Sequence, residues 1–255
     1  MSHRSYLRLL AAASAAGCLM GLSAPAQATP TTYRYGTAQT FGCDGVADTQ
    51  PEDFDFNPIK GERKKLKLAA LAPSGSQALV SGGIALGHLP RMSLKALAAE
   101  IPPNCRVSAA SAESIVYFKD EIEVKAGDLP AGTPVTYTAN VDFAIDMPRE
   151  GNGCNSVPFF RAYLNLSGPF TLWNPVAPFN GTYRMSLTKT MAVGDTLSLG
   201  VEIRGFVEAS RFLGSNTFCA ENTLRMLDSA RVSLTTDVPG ANTTSLKGVR
   251  YGAPR

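Results

Sequence analysis

The chain has 255 residues, of which 44% are hydrophobic and 18% are charged, and its formal net charge is +3. This near balance argues against a nucleic-acid-binding protein, because such a protein concentrates basic charge on one face to neutralise phosphates. One basic run occurs at residues 60–67, but Gly61, Glu62 and Leu66 interrupt it, and we interpret it as the solvated face of a strand.

The first residues have the pattern of an export signal. Residues 1–8 contain two arginines and no acid, residues 9–22 are apolar, and Ala26-Gln27-Ala28 fits an A-x-A cleavage site. The apolar stretch is shorter than the roughly 18 to 20 residues of a membrane-spanning helix. We therefore predict a signal peptide over residues 1–28 and a secreted protein, extracellular or periplasmic. An uncleaved anchor and lipidation at Cys18 are the alternatives.

The predicted mature chain, residues 29–255, loses two of the 24 basic residues and none of the 21 acidic ones, so its net charge falls to +1. A chain of this length can bury one large core or two small ones. No polar linker divides it, and no further apolar stretch is long enough to cross a membrane. We predict a single domain over residues 29–255 with no membrane span.

Four cysteines remain in the mature chain, and an even number in an exported protein is typical of disulfide pairs. No Cys-x-x-Cys spacing points to zinc. Of the three possible connectivities we predict Cys43–Cys105 and Cys154–Cys219, although spacing alone does not decide between them.

Residues 44–57 hold the densest group of oxygen ligands in the sequence. Calcium takes six to eight oxygens in flexible geometry, and Asp44, Asp53 and Asp55 are the candidate ligands. The segment lacks the glycine and the closing glutamate of an EF-hand. A solvated acidic loop is the alternative to a calcium site.

The next segments are less regular. Residues 64–72 alternate lysine with leucine or alanine and predict a strand. His88, the one histidine of the mature chain, stands beside glycine and proline and is interpreted as a loop residue. Residues 92–101 fit two periodicities, since apolar side chains at every second position predict a strand, whereas Leu94, Leu97, Ala98 and Ile101 predict one face of a short helix.

Period-two alternation is clearest in the second half of the chain. Residues 135–146 and 197–208 each place apolar side chains on one face and polar side chains on the other. Turn sequences such as Asn180-Gly181 and Gly194-Asp195 separate these and weaker strands. One-sided burial favours antiparallel sheets, so we predict an all-β, jelly-roll-like antiparallel β-sandwich, with room for one short helix.

The order of segments from residue 111 onward resembles a known class of proteins. The segments are ESIVYFKDEIEVKAG, GTPVTYTANVDFAID, GDTLSLGVEIRGFVEAS and ENTLRMLDSARV. Over residues 90–245 they resemble bacterial secreted β-sandwich ectodomains of the PEP-CTERM-sorted type, without the Pro-Glu-Pro sorting tail. The resemblance implies a sandwich fold and bacterial export, and it assigns no catalytic residue.

Catalysis by histidine or cysteine has little support in this sequence. One histidine cannot build a three-histidine or H-E-x-x-H zinc site, and no G-x-S-x-G motif occurs. A glycoside hydrolase or lyase needs only two carboxylates, or a tyrosine and an arginine. Asp142 with Asp146, and Glu202 with Glu208, lie on the polar faces of predicted strands, where charged side chains are common.

Three aromatic residues are candidates for a sugar-binding surface: Trp173, Tyr163 and Tyr183. Tyr163 is on the polar side of its predicted strand. Trp173 is the only tryptophan, and its place between prolines suits either an exposed loop or a core position.

The sequence therefore predicts a secreted, non-enzymatic binding or structural protein that contacts carbohydrate or a cell-surface or matrix partner. No cofactor other than calcium is indicated. Self-association is a further prediction, because an uncovered strand edge can accept a strand from a neighbour. A carboxylate-dependent glycoside hydrolase or lyase on a jelly-roll scaffold is the alternative.

Overall fold

The structure is a computed structural model, and it describes most of the chain beyond residue 31. The described residues are 32–42, 45–48, 52–56, 62–89, 91–101, 103, 105–147, 149–150, 158–173, 180–214, 219–227 and 230–252. Within these ranges every regular element is a β-strand, and every strand pair is antiparallel. None of the described residues forms a helix long and apolar enough to cross a membrane.

Seven strands form the first sheet. Their bounds are β1 Thr32–Gly42, β2 Gly45–Asp48, β3 Glu52–Phe56, β8 Val107–Glu123, β11 Phe159–Leu166, β12 Phe170–Trp173 and β14 Thr196–Phe212. The order across the sheet is β12-β11-β14-β8-β1-β2, and β3 also pairs with β1. Its centre consists of β8 and β14, each 17 residues long and paired along their whole length.

Nine strands form the second sheet. Their bounds are β4 Lys64–Leu71, β5 Gln77–Ile84, β6 His88–Leu89, β7 Ser93–Leu97, β9 Pro134–Asp146, β10 Arg149–Glu150, β13 Gly181–Ala192, β15 Glu221–Met226 and β16 Ala230–Thr236. The order is β4-β5-β7-β15-β9-β16-β6, with β10 on β15 and β13 on β9. Among the described strands, β4 pairs only with β5 and so lies at the edge of the sheet. Its exposed lysines disfavour pairing with a strand of another molecule.

The two sheets pack face to face around one hydrophobic core. In β9 every second residue from Val135 to Ile145 is buried, and β14 buries alternate positions in the same way. Phe143 of β9 meets Phe160 of β11 across the core, with ring centroids 5.6 Å apart. The predicted all-β antiparallel sandwich is therefore confirmed, and so are the strands expected from alternation.

One open alternative is decided, and two local interpretations were wrong. Residues 93–97 form a strand between β5 and β15 and not a short helix, because the period-two pattern buries Leu94 and Ala96. Parts of the acidic segment expected to be a loop form β2 and β3, which pair with β1. His88 lies in the short strand β6, where it pairs with Arg231 of β16.

The residues after β16 return to the end of β8. Asn242 donates from Nδ2 to the carbonyl oxygen of Glu123 at 2.9 Å, and the Leu246 amide donates to the Glu121 carbonyl at 2.8 Å. Tyr251 reaches the core itself, where 1% of its surface is exposed. The C-terminal segment is thus part of the packed sandwich.

Candidate functional site

The outer face of the seven-stranded sheet carries a row of polar side chains on three neighbouring strands. Tyr117 of β8 pairs with Glu202 of β14, and Glu202 pairs with Tyr163 of β11. Each of the three alternates with buried neighbours, so these side chains point away from the core. Paired residues have Cβ atoms about 5 Å apart, and the register thus places one tyrosine on each side of the Glu202 carboxyl.

A glycine opens a cleft beside this row. Gly200 of β14 pairs with Asn165 of β11, which pairs with Phe170 of β12. A Cβ atom on Gly200 would lie 3.6 Å from Tyr117 Oη and 3.6 Å from Asn165 Cβ, so glycine leaves this space empty of side chain. We call the resulting hollow of about 390 Å³ the tyrosine cleft; its lining residues are Tyr117, Tyr163, Asn165, Phe170, Gly200 and Glu202.

A tight turn carries Phe170 to the rim of the cleft. Ser167 and Gly168 adopt positive φ values of 46° and 105°, and the Leu166 amide donates to the Pro169 carbonyl at 2.9 Å. The Ser167 hydroxyl accepts a hydrogen bond of 2.8 Å from the Ser198 amide, which ties the turn to β14. Phe170 remains 67% exposed, so its ring is accessible at the rim of the cleft.

Polar contacts orient the side chains of the cleft. Arg161 Nη1 donates to Tyr163 Oη at 3.2 Å, while its guanidinium stands 4.8 Å from the centroid of the Phe159 ring. The Tyr163 hydroxyl keeps its own proton to donate. Asn165 Nδ2 donates to the Gly168 carbonyl at 3.4 Å, which leaves the side-chain oxygen as an acceptor.

The raised pKa values of Glu202 and Tyr117 favour the protonated forms of both side chains, which can donate hydrogen bonds. Burial raises the pKa of Glu202, and the positive charges of Arg204 and Arg161 oppose this rise. Burial also raises the pKa of Tyr117, and the neighbouring Glu202 raises it further. Tyr117 therefore stays a neutral phenol at physiological pH, beside a carboxyl that holds its proton to higher pH than an exposed glutamate does.

The predicted aromatic residues are only partly brought together. Tyr163 lies in the tyrosine cleft. Trp173 ends β12 and pairs with Ala162, and its side chain lies outside the described residues. Tyr183 belongs to the other sheet, where its ring stands 5.8 Å from that of Phe143.

The four carboxylates considered for hydrolysis are far apart within each pair. At a rise of about 3.4 Å per residue, Asp142 and Asp146 of β9 are separated by about 14 Å along the strand, and Glu202 and Glu208 of β14 by about 20 Å. Glycosidases hold their two carboxyl groups roughly 5 to 9.5 Å apart. The two pairs also lie in different sheets. Neither pair has the spacing of a glycosidase site.

The described residues do not test the prediction that Asp44, Asp53 and Asp55 bind calcium. Asp44 lies outside the described residues, and for Asp53 and Asp55 the backbone alone is described, in β3 opposite Tyr35 and Tyr33. Within the described part of the chain, no three His, Cys, Asp or Glu side chains come together as metal ligands.

The predicted signal peptide, Cys43 and Cys154 lie outside the described residues. Cys105 and Cys219 are buried, with 2% and 3% of their surfaces exposed, and neither is a free thiol. Their predicted pairing with Cys43 and Cys154 stays a prediction.

No family model matches the sequence, and no curated protein matches it. Among solved structures, the chain is similar to one described as "Structural basis for the promiscuous specificity of the carbohydrate-binding modules from the beta-sandwich super family". The two chains are 11% identical, the match covers 78% of this chain and 85% of that chain, and the TM-score is 0.17. Because the TM-score is so low, we infer no function from this likeness. The proposed function rests on the residues of the cleft.

Sequence reasoning missed Tyr117, Asn165, Phe170 and Gly200 as members of a site. Gly200 offered a signal, because an isolated glycine within a strand pattern often marks a close approach or an open space on the sheet. The other three became visible only through the pairing of β8, β14, β11 and β12.

Proposed function

We propose that this protein is a secreted, non-enzymatic binding protein that takes a carbohydrate in the tyrosine cleft. The observation that carries the proposal is the composition of the cleft: two tyrosines, an exposed phenylalanine, a carboxyl and an amide surround a floor of glycine. The volume of about 390 Å³ falls within the usual range for small-molecule sites, about 300 to 1,000 Å³.

A sugar ring has apolar C–H faces and a rim of hydroxyl groups, and the cleft offers a partner for each. The rings of Tyr163 and Phe170 supply flat apolar area at low cost in conformational entropy. The hydroxyls of Tyr117 and Tyr163 donate, while the Asn165 oxygen and the Glu202 carboxyl accept. This mixture suits a neutral sugar better than a purely apolar ligand.

Binding without cleavage is favoured by the charged groups of the cleft. Glu202 is the only carboxyl group among the described lining residues, whereas glycoside hydrolysis uses two. The pairs Asp142/Asp146 and Glu202/Glu208 do not supply the spacing. A glycoside hydrolase or lyase remains the outcome to be tested against binding.

Export and two disulfides complete the proposal. Gly42, the residue before Cys43, pairs with Ser108, three positions from Cys105. Glu150 pairs with Glu221, two positions from Cys219. These registers support the pairs Cys43–Cys105 and Cys154–Cys219, which an exported protein can form in an oxidising compartment.

A glycan array tests the function, with Tyr163→Ala as the cleft variant and Tyr183→Ala as the matched control. Both remove a partly exposed tyrosine, but only Tyr163 lines the cleft. We expect the wild-type protein to bind a defined glycan, Tyr163→Ala to bind it about fivefold to tenfold more weakly, and Tyr183→Ala to bind it as the wild type does.

The same purified proteins are then incubated with the bound polysaccharide, and reducing ends are measured. Unchanged polysaccharide supports a binding protein. Release of sugars that Glu202→Gln abolishes would replace the proposal with a hydrolase. Equal loss of binding in both tyrosine variants, or no glycan bound at all, would remove the cleft as a carbohydrate site.

A further inference from the structure

A row of ionisable side chains crosses the outer face of the nine-stranded sheet, opposite the tyrosine cleft. His88 of β6 pairs with Arg231 of β16, Arg231 pairs with Asp142 of β9, and Asp142 pairs with Arg184 of β13. Neighbouring strands are about 4.8 Å apart, so each side chain lies within reach of the next one in the row. Three of the four are basic.

The one acid in this row is already neutralised. Arg184 donates from Nη2 to Asp142 Oδ2 at 3.0 Å and from Nε to the other carboxylate oxygen, in a bidentate pair. Arg231 and His88 lie on the other side of Asp142 from this pair. The charge left at the β6 end of the row is therefore positive.

These residues surround a hollow that we call the arginine pocket. It holds about 350 Å³, and its lining includes His88, Arg91, Asp142, Thr182 and Arg231. Burial lowers the pKa of His88, and the nearby charges of Arg63 and Arg231 lower it further. Four basic side chains are thus close to one small space: His88, Arg91 and Arg231 line it, and Arg63 lies near His88. Thr182 is a neutral donor at its rim.

We propose that the arginine pocket binds a sulfate or carboxylate group of an acidic polysaccharide. Guanidinium groups bind such oxyanions through paired, charge-assisted hydrogen bonds. His88, once protonated by the approach of an anion, adds a further donor. The proposal is independent of the tyrosine cleft, because the two hollows lie on opposite sheets and share no residue.

A polysaccharide is favoured over a nucleic acid for two reasons. Binding of single strands depends on exposed aromatic rings that stack with bases, and the one aromatic residue lining the pocket, Phe143, is only 2% exposed. The formal charge of the whole chain is also only +3, too small for the broad basic field of a nucleic-acid-binding protein.

Binding of a heparin hexasaccharide to the full chain, measured by calorimetry, tests the proposal. Arg231→Gln removes one pocket cation, and Lys125→Gln, an exposed lysine outside the pocket lining, is the matched control. We expect Arg231→Gln to weaken binding about tenfold and Lys125→Gln to leave it nearly unchanged. The chemically desulfated hexasaccharide shows whether sulfate or carboxylate is bound.

Titration of the His88 imidazole by NMR gives a second readout that does not depend on affinity alone. The His88 signals are assigned by their loss in His88→Gln. Because a bound anion stabilises the charged imidazolium, the hexasaccharide should raise the pKa of His88 by about one unit, and neutral dextran should not.

Three results would overturn the proposal. One is the absence of hexasaccharide binding, and another is equal weakening by Arg231→Gln and Lys125→Gln. The third is tighter, Arg231-dependent binding of a single-stranded oligonucleotide, which would assign the pocket to nucleic acid. Failure of the hexasaccharide to bind, while another glycan still binds the tyrosine cleft, would leave the proposed function standing and remove only this inference.

Discussion

Tyr251 donates a hydrogen bond of 2.8 Å from its hydroxyl to Oδ2 of Asp120 inside the core, across 131 positions of the chain. Both residues are 1% exposed. The second oxygen of Asp120 accepts from the Glu121 amide at 2.9 Å. Burial, and then the Asp120 charge, raise the pKa of Tyr251, so the phenol is protonated and can donate. The pair fastens the C-terminal segment to β8.

Removing this hydroxyl should destabilise the whole sandwich. Tyr251→Phe keeps the ring but leaves a buried Asp120 oxygen without its donor, at an expected cost of about 1 to 3 kcal/mol in the free energy of unfolding. Urea unfolding followed by circular dichroism measures the change. Tyr183→Phe, which alters a partly exposed tyrosine, is the control and should change stability by less than about 0.5 kcal/mol. Equal effects would contradict a special role for the buried pair.

Glu202 should make stability depend on pH in a recognisable direction. Its pKa is raised by burial, so its contribution is fully present below the ordinary glutamate pKa of about 4.3 and is lost as pH rises through the raised value. Glu202→Gln cannot ionise, and its stability relative to the wild type should therefore increase between about pH 4 and pH 7. Urea unfolding at several pH values measures this difference.

Asp237 provides a control of opposite sign for that titration. Its pKa is lowered mainly by the hydrogen bond that its carboxylate accepts from the Thr136 amide at 2.8 Å. That contribution is present above the ordinary aspartate pKa and lost as pH falls. Asp237→Asn should therefore lose stability relative to the wild type as pH rises, while Glu202→Gln gains. Parallel slopes for the two variants would contradict the burial of Glu202.

The sequence predicted the regular strands well because their inner faces are apolar. Residues 135–146 and 197–208 alternate as required, and both form long strands. The first strand could not be predicted in this way, since three of its four buried residues, Arg34, Gly36 and Thr40, are not apolar. Gly36 is needed there because a Cβ atom would overlap the Leu66 side chain. Hydrophobic alternation carries no information about such a strand.

The candidate sites depend on register, which alternation does not determine. The pairing of Tyr117 with Glu202 joins residues that are far apart in sequence, and the pairing of His88 with Arg231 spans a still longer separation. A change of register by two residues would keep every side chain on its face of the sheet. It would nevertheless separate Tyr117 from Glu202 and His88 from Arg231. Faces were therefore predictable from the sequence, and neighbours were not.

The proposed disulfides can be mapped directly in the purified protein. We expect non-reducing peptide mapping by mass spectrometry to recover Cys43 with Cys105 and Cys154 with Cys219. Each bond closes a loop of roughly 60 residues, so reduction should lower the free energy of unfolding by about 4 kcal/mol per bond in the chain-entropy model. Recovery of Cys105 linked to Cys154, or of free thiols, would show that the registers beside Gly42 and Glu150 do not determine the pairing.

A large side chain at position 200 should fill the tyrosine cleft and weaken glycan binding without changing the stability of the fold. The Cβ of Gly200→Ala would meet Asn165 and Tyr117 at 3.6 to 3.7 Å, ordinary contact distances, so this variant should fold and bind nearly as the wild type does. Gly200→Leu places a branched side chain on the outer face, where it occupies the hollow without entering the core. We expect it to lose glycan binding at least tenfold while its urea midpoint stays close to that of Gly200→Ala. Undiminished binding by Gly200→Leu would mean that the glycan does not enter the cleft, whatever effect the tyrosine variants have.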